Sequence, residues 1–253
     1  MTVRAALLPG LVVSAEASVV VVVDVLRATT TLVSLLDAGC TDIVVAETIE
    51  EATAIGRKEG RLLVGEEGGL PPRHFDFGNS PRQFAGADMA GARVAFATTN
   101  GARALQLARR GPLVLAGCVR NATAVANAAV EAARTRGADV QIVCSGRSRG
   151  ATFALDDAFC AGLIIRRVVD AVARLDDASS AGGGPTSDAE GDPVGRWDLA
   201  DDAIALMALY RSYLNAADGD ESAATMAAFR ESASGRGLER LGLGEDLVFC
   251  SYP

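Results

Sequence analysis

Residues 19–23 are five consecutive valines, and the run ends directly on Asp24. A strand with one wet face alternates apolar and polar residues, so an unbroken β-branched run describes a strand buried on both faces. Such strands belong to parallel sheets covered by helices on each side. The rest of the chain repeats the pattern. Strands are expected at 19–25, 42–46, 62–65, 93–97, 113–116 and 140–145, alternating with alanine-rich segments of helical period at 30–38, 49–59, 101–109, 122–135 and 155–175. The expected fold class is α/β, three layers (α/β/α) with mostly parallel strands. A strand, a Thr/Ser-rich turn and a helix recur near 19–38, 93–110 and 140–175, which points to two similar α/β subdomains flanking a cleft.

Composition narrows the partners. The chain has 253 residues, is 49% hydrophobic and 22% charged, and carries a formal charge of −8. That is too apolar for a disordered chain and large enough for a sizeable core. The acidic balance argues against nucleic acid and against an anionic membrane surface, both of which need surplus Lys and Arg. The apolar stretch 5–13 is broken by Pro9-Gly10 and the valine run is too short to span a bilayer, so neither a leader nor a membrane segment is expected. Five scattered cysteines without a C-x-x-C pair fit a reducing cytoplasm rather than a disulfide framework or a zinc site.

Three parts are expected along the chain: an α/β catalytic core over 1–175, a flexible Gly/Ser/Asp-rich insertion over 176–195, and a helical part over 196–253 that packs back on the core. An amphipathic helix is expected over 197–213. Alanine-rich helices with apolar faces are compatible with a homodimer.

Open parallel sheets bind ligands beyond the carboxyl ends of their strands. The loop Asp24-Val25-Leu26-Arg27-Ala28-Thr29-Thr30-Thr31 delivers a carboxylate, a guanidinium and three hydroxyls to a helix start. Arg27 could clamp a phosphate, and Asp24 could hold a metal or attack phosphorus; the plainer role is helix capping. In Cys144-Ser145-Gly146-Arg147-Ser148-Arg149-Gly150, backbone amides and two arginines can neutralise an oxyanion. A cysteine-phosphatase loop would place Arg six positions after the thiolate, where Gly150 stands, so a thiolate mechanism ranks second and Cys144 reads better as a buried strand end. Asp156 and Asp157 open a helix with side chains about 100° apart, so one can be a ligand while the other caps. Glu66 is a further strand-end carboxylate, and oxygen ligands without a His or Cys cluster suit Mg²⁺. Phe75-Asp76-Phe77-Gly78-Asn79-Ser80-Pro81 and Thr98-Thr99-Asn100-Gly101 are turn-forming and rich in hydrogen-bonding groups. The single histidine, His74, reads as incidental. Neither a dinucleotide fingerprint nor a nucleotide phosphate loop is present.

Taken in order, these segments resemble the 2-phosphosulfolactate phosphatase family, the Mg²⁺-dependent acid phosphatases of coenzyme M biosynthesis. DVLRATTT at 24–31 is similar to the family's first motif, Gly65-Glu66 to its Gly-Glu-Arg, FDFGNSP at 75–81 to Gly-Phe-Asp-Leu-Gly-Asn-Ser-Pro, and TTNG at 98–101 to its counterpart. FALDDAFCAG at 153–162 and LGLGEDLV at 241–248 continue the likeness, which leaves out only the insertion. The resemblance implies a three-layer fold and hydrolysis of 2-phospho-3-sulfolactate, a small anionic phosphate ester, to sulfolactate and phosphate. Joined to the residues above, it implies that Asp24, Glu66 and Asp157 organise Mg²⁺. Arg27 and Arg147 or Arg149 would hold the anionic groups, with Thr29, Thr30, Asp76, Asn79, Ser80, Thr99 and Asn100 around them. Three positions depart from the family pattern: Glu67 stands for Arg, His74 for Gly and Ala102 for Thr. Glu67 sets an anion where the family has a cation, which leaves open a different phosphate ester or a binding protein without turnover.

Overall fold

The structure, a computed structural model, describes residues 1–181 and 197–252. Two parallel sheets carry the fold. The first is built from β1 (Thr2–Ala6), β2 (Ser18–Val23), β6 (Leu113–Gly117), β7 (Asp139–Cys144) and β8 (Asp198–Leu199), in the order β6-β2-β7-β1-β8. The second contains β3 (Asp42–Ala46), β4 (Leu62–Gly65) and β5 (Arg93–Ala97), in the order β3-β5-β4. Each adjacent pair is parallel.

The valine run shows why the sheets need cover on both faces. Val19, Val21 and Val23 pack with Ile142, Phe159 and Ile164 beneath α4 (Ala122–Arg136) and α5 (Leu155–Ala181). Val20 and Val22 face the other way, onto Ala104 and Ala108 of α3 (Gly101–Ala108). All five are fully buried, at about 1.5–3 kcal/mol each. The central strand of the second sheet divides in the same way. Val94 and Phe96 meet Ala28, Leu32 and Leu35 of α1 (Ala28–Asp37), and Ala95 and Ala97 meet Ala52 of α2 (Ile49–Glu59).

This packing is reciprocal. The helix after β2 covers the second sheet, and the helix after β5 covers the first. The exchange turns the carboxyl ends of β2 and β5 towards each other, and the first residues of α1 and α3 touch: a Cβ added to Gly101 would lie 3.0 Å from the Ala28 Cβ.

β1 and β8 add two strands to those expected. β1 holds only five residues, and Arg4 and an early Pro9-Gly10 obscure it; pairing with β7 fixes it. The helix expected from 197 begins at 201, because the Asp198 and Ala200 amides donate to the Met1 and Val3 carbonyls as an edge strand. α5 runs to Ala181, six residues past its expected end, and the remainder of the expected insertion lies outside the described residues. α6 (Asp201–Ala216), α7 (Glu221–Glu231), α8 (Ala233–Arg240) and α9 (Gly244–Ser251) complete the chain. Among the described residues, no helix is long and apolar enough to cross a membrane.

Candidate active site

The carboxyl ends of β2, β4, β5 and β7 meet α8 around a cleft of about 420 Å³, within the roughly 300–1,000 Å³ usual for small-molecule sites. Asp24, Arg27, Glu66, Asn79, Asn100 and Arg147 all line it. A larger groove of about 690 Å³, edged by Val130, Arg134 and Ala171, holds none of the buried carboxylates, so the chemistry belongs to the smaller cleft.

The loop after β2 is held by its threonines. Thr29 Oγ1 accepts from the Asp24 amide at 3.2 Å, Thr30 Oγ1 donates to the Val25 carbonyl at 2.8 Å, and Thr31 Oγ1 donates to the Asn79 carbonyl at 3.2 Å. Thr29 and Thr30, expected to bind substrate, are fully buried and shape the loop instead. Their local bonds aim Asp24 into the cleft. The far side of Asp24 meets α3, where a Cβ on Gly101 would come within 2.8 Å of Asp24 Oδ2; only glycine allows that approach. Asn100 lines the cleft and makes no side-chain cap for α3.

Arg27 lines the cleft but is locked in place. Its Nη1 donates to Asp246 Oδ2 and its Nη2 to the Gly69 carbonyl, both at 2.7 Å. Asp246 Oδ1 accepts from the Ser80 hydroxyl at 2.6 Å, so Ser80, expected at the substrate, braces this pair. The network joins the β2 loop, the β4 loop and α9. Sequence reasoning assigned Asp246 no role; its one signal was the GED of the late motif.

The carboxylates divide into two kinds. Asp157, expected on the metal, accepts from the Val25 amide at 3.0 Å on Oδ1, and from the Gly146 amide at 3.0 Å and the Ser145 hydroxyl at 3.2 Å on Oδ2. It ties α5 to the loops after β2 and β7. Glu66 accepts from the Gly69 amide and from the Thr99 amide and hydroxyl, at 2.7–2.9 Å. Asp24 Oδ2 and Asp156 Oδ1, by contrast, are buried and have no hydrogen-bond partner. The helical phase that turns Asp157 onto backbone amides leaves Asp156 Oδ1 without one.

Burial pushes Asp24 up to about 7, with Asp156 and then Glu66 adding to the rise. Burial likewise lifts Asp156 to about 6. Folded values above unfolded ones mean that the native state binds more protons between about pH 4 and pH 7, so stability falls as pH rises through that window. Asp42 and Glu59 are held below their ordinary values by Arg61, and their contribution is lost only at lower pH. In EDTA, the thermal midpoint is therefore expected to rise on acidification from about pH 7.5 to about pH 5. A falling midpoint over that interval would contradict two carboxyls raised by burial.

The remaining expected residues separate by position. Asn79 lines the cleft with an unpartnered Oδ1. Thr99 and Asn100 line it too; Asn100 Oδ1 accepts from the Arg149 amide at 2.9 Å, joining the β5 and β7 loops. Arg147 lines it, and its charge lowers Asp156. Arg149 is exposed outside the lining. Asp76 is also exposed; its Oδ2 accepts from the Leu63 amide at 2.7 Å, so it serves β4 rather than the substrate. His74 is exposed beside the Thr53 hydroxyl and Phe75, away from the cleft. Cys144 is fully buried, and burial with Asp157 and Asp156 nearby pushes its thiol well above the ordinary value, which removes the thiolate mechanism.

Comparison with known proteins brings this geometry to a family. The family model for 2-phosphosulpholactate phosphatase matches residues 8–252. The chain belongs to the 2-phosphosulfolactate phosphatase family. It is 40% identical over 201 residues to a Deinococcus radiodurans protein named "Probable 2-phosphosulfolactate phosphatase", covering 75% of this chain and 79% of the relative. A Gloeothece citriformis protein of the same name is 32% identical over 235 residues, 91% of this chain and 83% of its own. A Thermus thermophilus protein, again of that name, is 42% identical over 147 residues, 58% of this chain and 60% of its own. Membership of the 2-phosphosulfolactate phosphatase family makes the chain a phosphoric monoester hydrolase. Of the three departures from the family pattern, Glu67 is exposed on a turn closed by the reciprocal Glu67 and Leu70 backbone bonds and lies outside the cleft lining. His74 is likewise outside it, and Ala102 is buried in α3.

Proposed function

We propose that the chain hydrolyses 2-phosphosulfolactate to sulfolactate and phosphate in a Mg²⁺-dependent reaction. The observation that carries this reading is Asp24 Oδ2, a buried carboxylate oxygen without a partner in a cleft that also holds Arg27 and Arg147; Asp156 Oδ1, likewise buried and unpartnered, lies near enough for its charge to raise Asp24. Among the described residues, no three His, Cys, Asp or Glu side chains form a ready metal cage. Mg²⁺ commonly takes one or two carboxylates and completes its shell with water and substrate phosphate. Asp24 and Asp156 would hold it. When bound, Mg²⁺ neutralises charge on the phosphoryl oxygens.

The chain's own groups do the rest. A phosphomonoester dianion repels any nucleophile, so the site must offset charge before the P–O bond can break. Arg27 and Arg147, both in the cleft lining, would supply the positive charge. Asn79 and Thr99 also line the cleft. Water adds its hydroxyl to phosphorus and the departing alkoxide oxygen takes the proton, so the products are the hydroxy acid and phosphate. Leu26 stands where an aspartyl-phosphate mechanism of the D-x-D type has its second Asp, which favours direct attack by water. Measurement of phosphate release from 2-phosphosulfolactate tests the reading. Release is expected with Mg²⁺ and not with EDTA, and release that EDTA leaves intact overturns the metal dependence.

A further inference from the structure

We propose that Arg240, on α8, reads a second anionic group on the substrate, which makes the cleft selective for phosphate esters that also carry a carboxylate or sulfonate. The inference rests on the phosphatase reading, whose substrate carries both acids, and adds the residue that reads one of them. Three guanidinium groups line the cleft: those of Arg27, Arg147 and Arg240. Arg27 is held by Asp246 and the Gly69 carbonyl, and the charge of Arg147 bears on Asp156. Arg240 is different. It is exposed, and among the described residues its side chain makes no hydrogen bond or ion pair. A guanidinium at the cleft that no protein group engages is free to meet an anionic group of a bound ester.

The helix that carries it is fixed. Ser232 caps α8 through the Gly235 amide at 2.8 Å, and Gly235 packs so closely on the Phe229 carbonyl that a Cβ would come within 1.9 Å of its oxygen. Leu238 is buried, and Leu241 lies against Gly69, where a Cβ would stand 2.7 Å from Leu241 Cδ1. The guanidinium folds back along the helix: Nη2 is 3.9 Å from the place a Cβ would take on Gly237, which itself lines the cleft. The bare Gly237 backbone leaves that lane open. A substrate whose phosphate lies by Asp24 can therefore turn a second acid group towards α8. Glu67, exposed and outside the lining, does not oppose it.

Arg240 also stands in the last turn of α8, where a cation stabilises the helix end. That role predicts a change in thermal midpoint and none in selectivity. The test compares phosphate release from three two-carbon esters, ethyl phosphate, phosphoglycolate and O-phosphoisethionate, which differ in carrying no second acid, a carboxylate or a sulfonate. In wild type, kcat/KM is expected to favour the two acidic esters. In Arg240→Ala, their advantage over ethyl phosphate falls about tenfold to a hundredfold, the worth of a charge-assisted hydrogen bond. Arg240→Lys restores part of it, and the carboxylate and sulfonate arms show which acid is preferred. An advantage unchanged by Arg240→Ala overturns the inference. If wild type releases phosphate from none of the three, the phosphatase reading for these esters fails separately. Calorimetric binding of the same esters then decides on Arg240 alone, by whether the variant loses the preference for the acidic pair.

Discussion

Asp24→Asn is expected to lower Mg²⁺-dependent phosphate release by on the order of 10³-fold while the protein stays folded. The size follows from the position of the carboxylate. Asp24 Oδ2 is buried without a partner between the start of α1 and the start of α3, where the proposed reaction offsets the phosphoryl charge. The direction of the stability change is as telling as the rate. Burial and the neighbouring Asp156 and Glu66 hold the Asp24 carboxyl near 7, so a neutral amide of similar shape relieves repulsion. Without metal, the variant's thermal midpoint at neutral pH should equal or exceed that of wild type. A variant that loses activity because it unfolds would contradict this assignment, as would one that keeps full activity.

Arg27→Met is expected to cost about 3–5 kcal/mol of stability, because it strips the partner from a buried carboxylate. The side chains of Arg27 and Asp246 are 3% and 1% exposed, so neither gains appreciable screening from water. Removal of Arg27 leaves Asp246 with only the Ser80 hydroxyl, and leaves the Gly69 carbonyl without its donor. The double variant Arg27→Met, Asp246→Leu should recover most of the lost stability, since apolar replacement of a whole buried pair is often neutral or better. It should not recover activity, because the cleft has lost a cation. Denaturant unfolding of the two single variants and the double variant gives the coupling directly. A cost below about 1 kcal/mol for Arg27→Met would place this pair with weak surface ion pairs.

The sheet strands were legible wherever burial on both faces left an unbroken apolar run. Residues 42–46, 62–65 and 93–97 form strands with the expected ends, and the valine strand ends at Val23 rather than at 25 because Asp24 and Val25 turn into the loop. β1 and β8 left little pattern because they are short and only partly buried. The division into two sheets was hinted at by the repeated strand, turn and helix, but the exchange of α1 and α3 between them depends on long-range packing that no local period records. The site shows the same limit. The loops that form the cleft could be read from their chemistry, whereas the direction of each side chain could not. Thr29 and Thr30 look like phosphate ligands until their hydroxyls are seen on the loop's own backbone. Asp156 and Asp157 differ only by helical phase, and the amides that engage Asp157 come from Val25 and Gly146. Asp246 lies 219 residues from the arginine it holds. At that separation no spacing argument connects them.

The central claim is that Asp24 and Asp156, rather than Asp157, present the open oxygens on which hydrolysis depends. It is tested most directly by one assay of phosphate release from 2-phosphosulfolactate, run with and without Mg²⁺ on wild type, Asp24→Asn and Asp156→Asn, each checked for folding. The account predicts Mg²⁺-dependent release by wild type and near-complete loss in both folded variants. Wild-type rates in either variant, or release by wild type that does not respond to Mg²⁺, would contradict it.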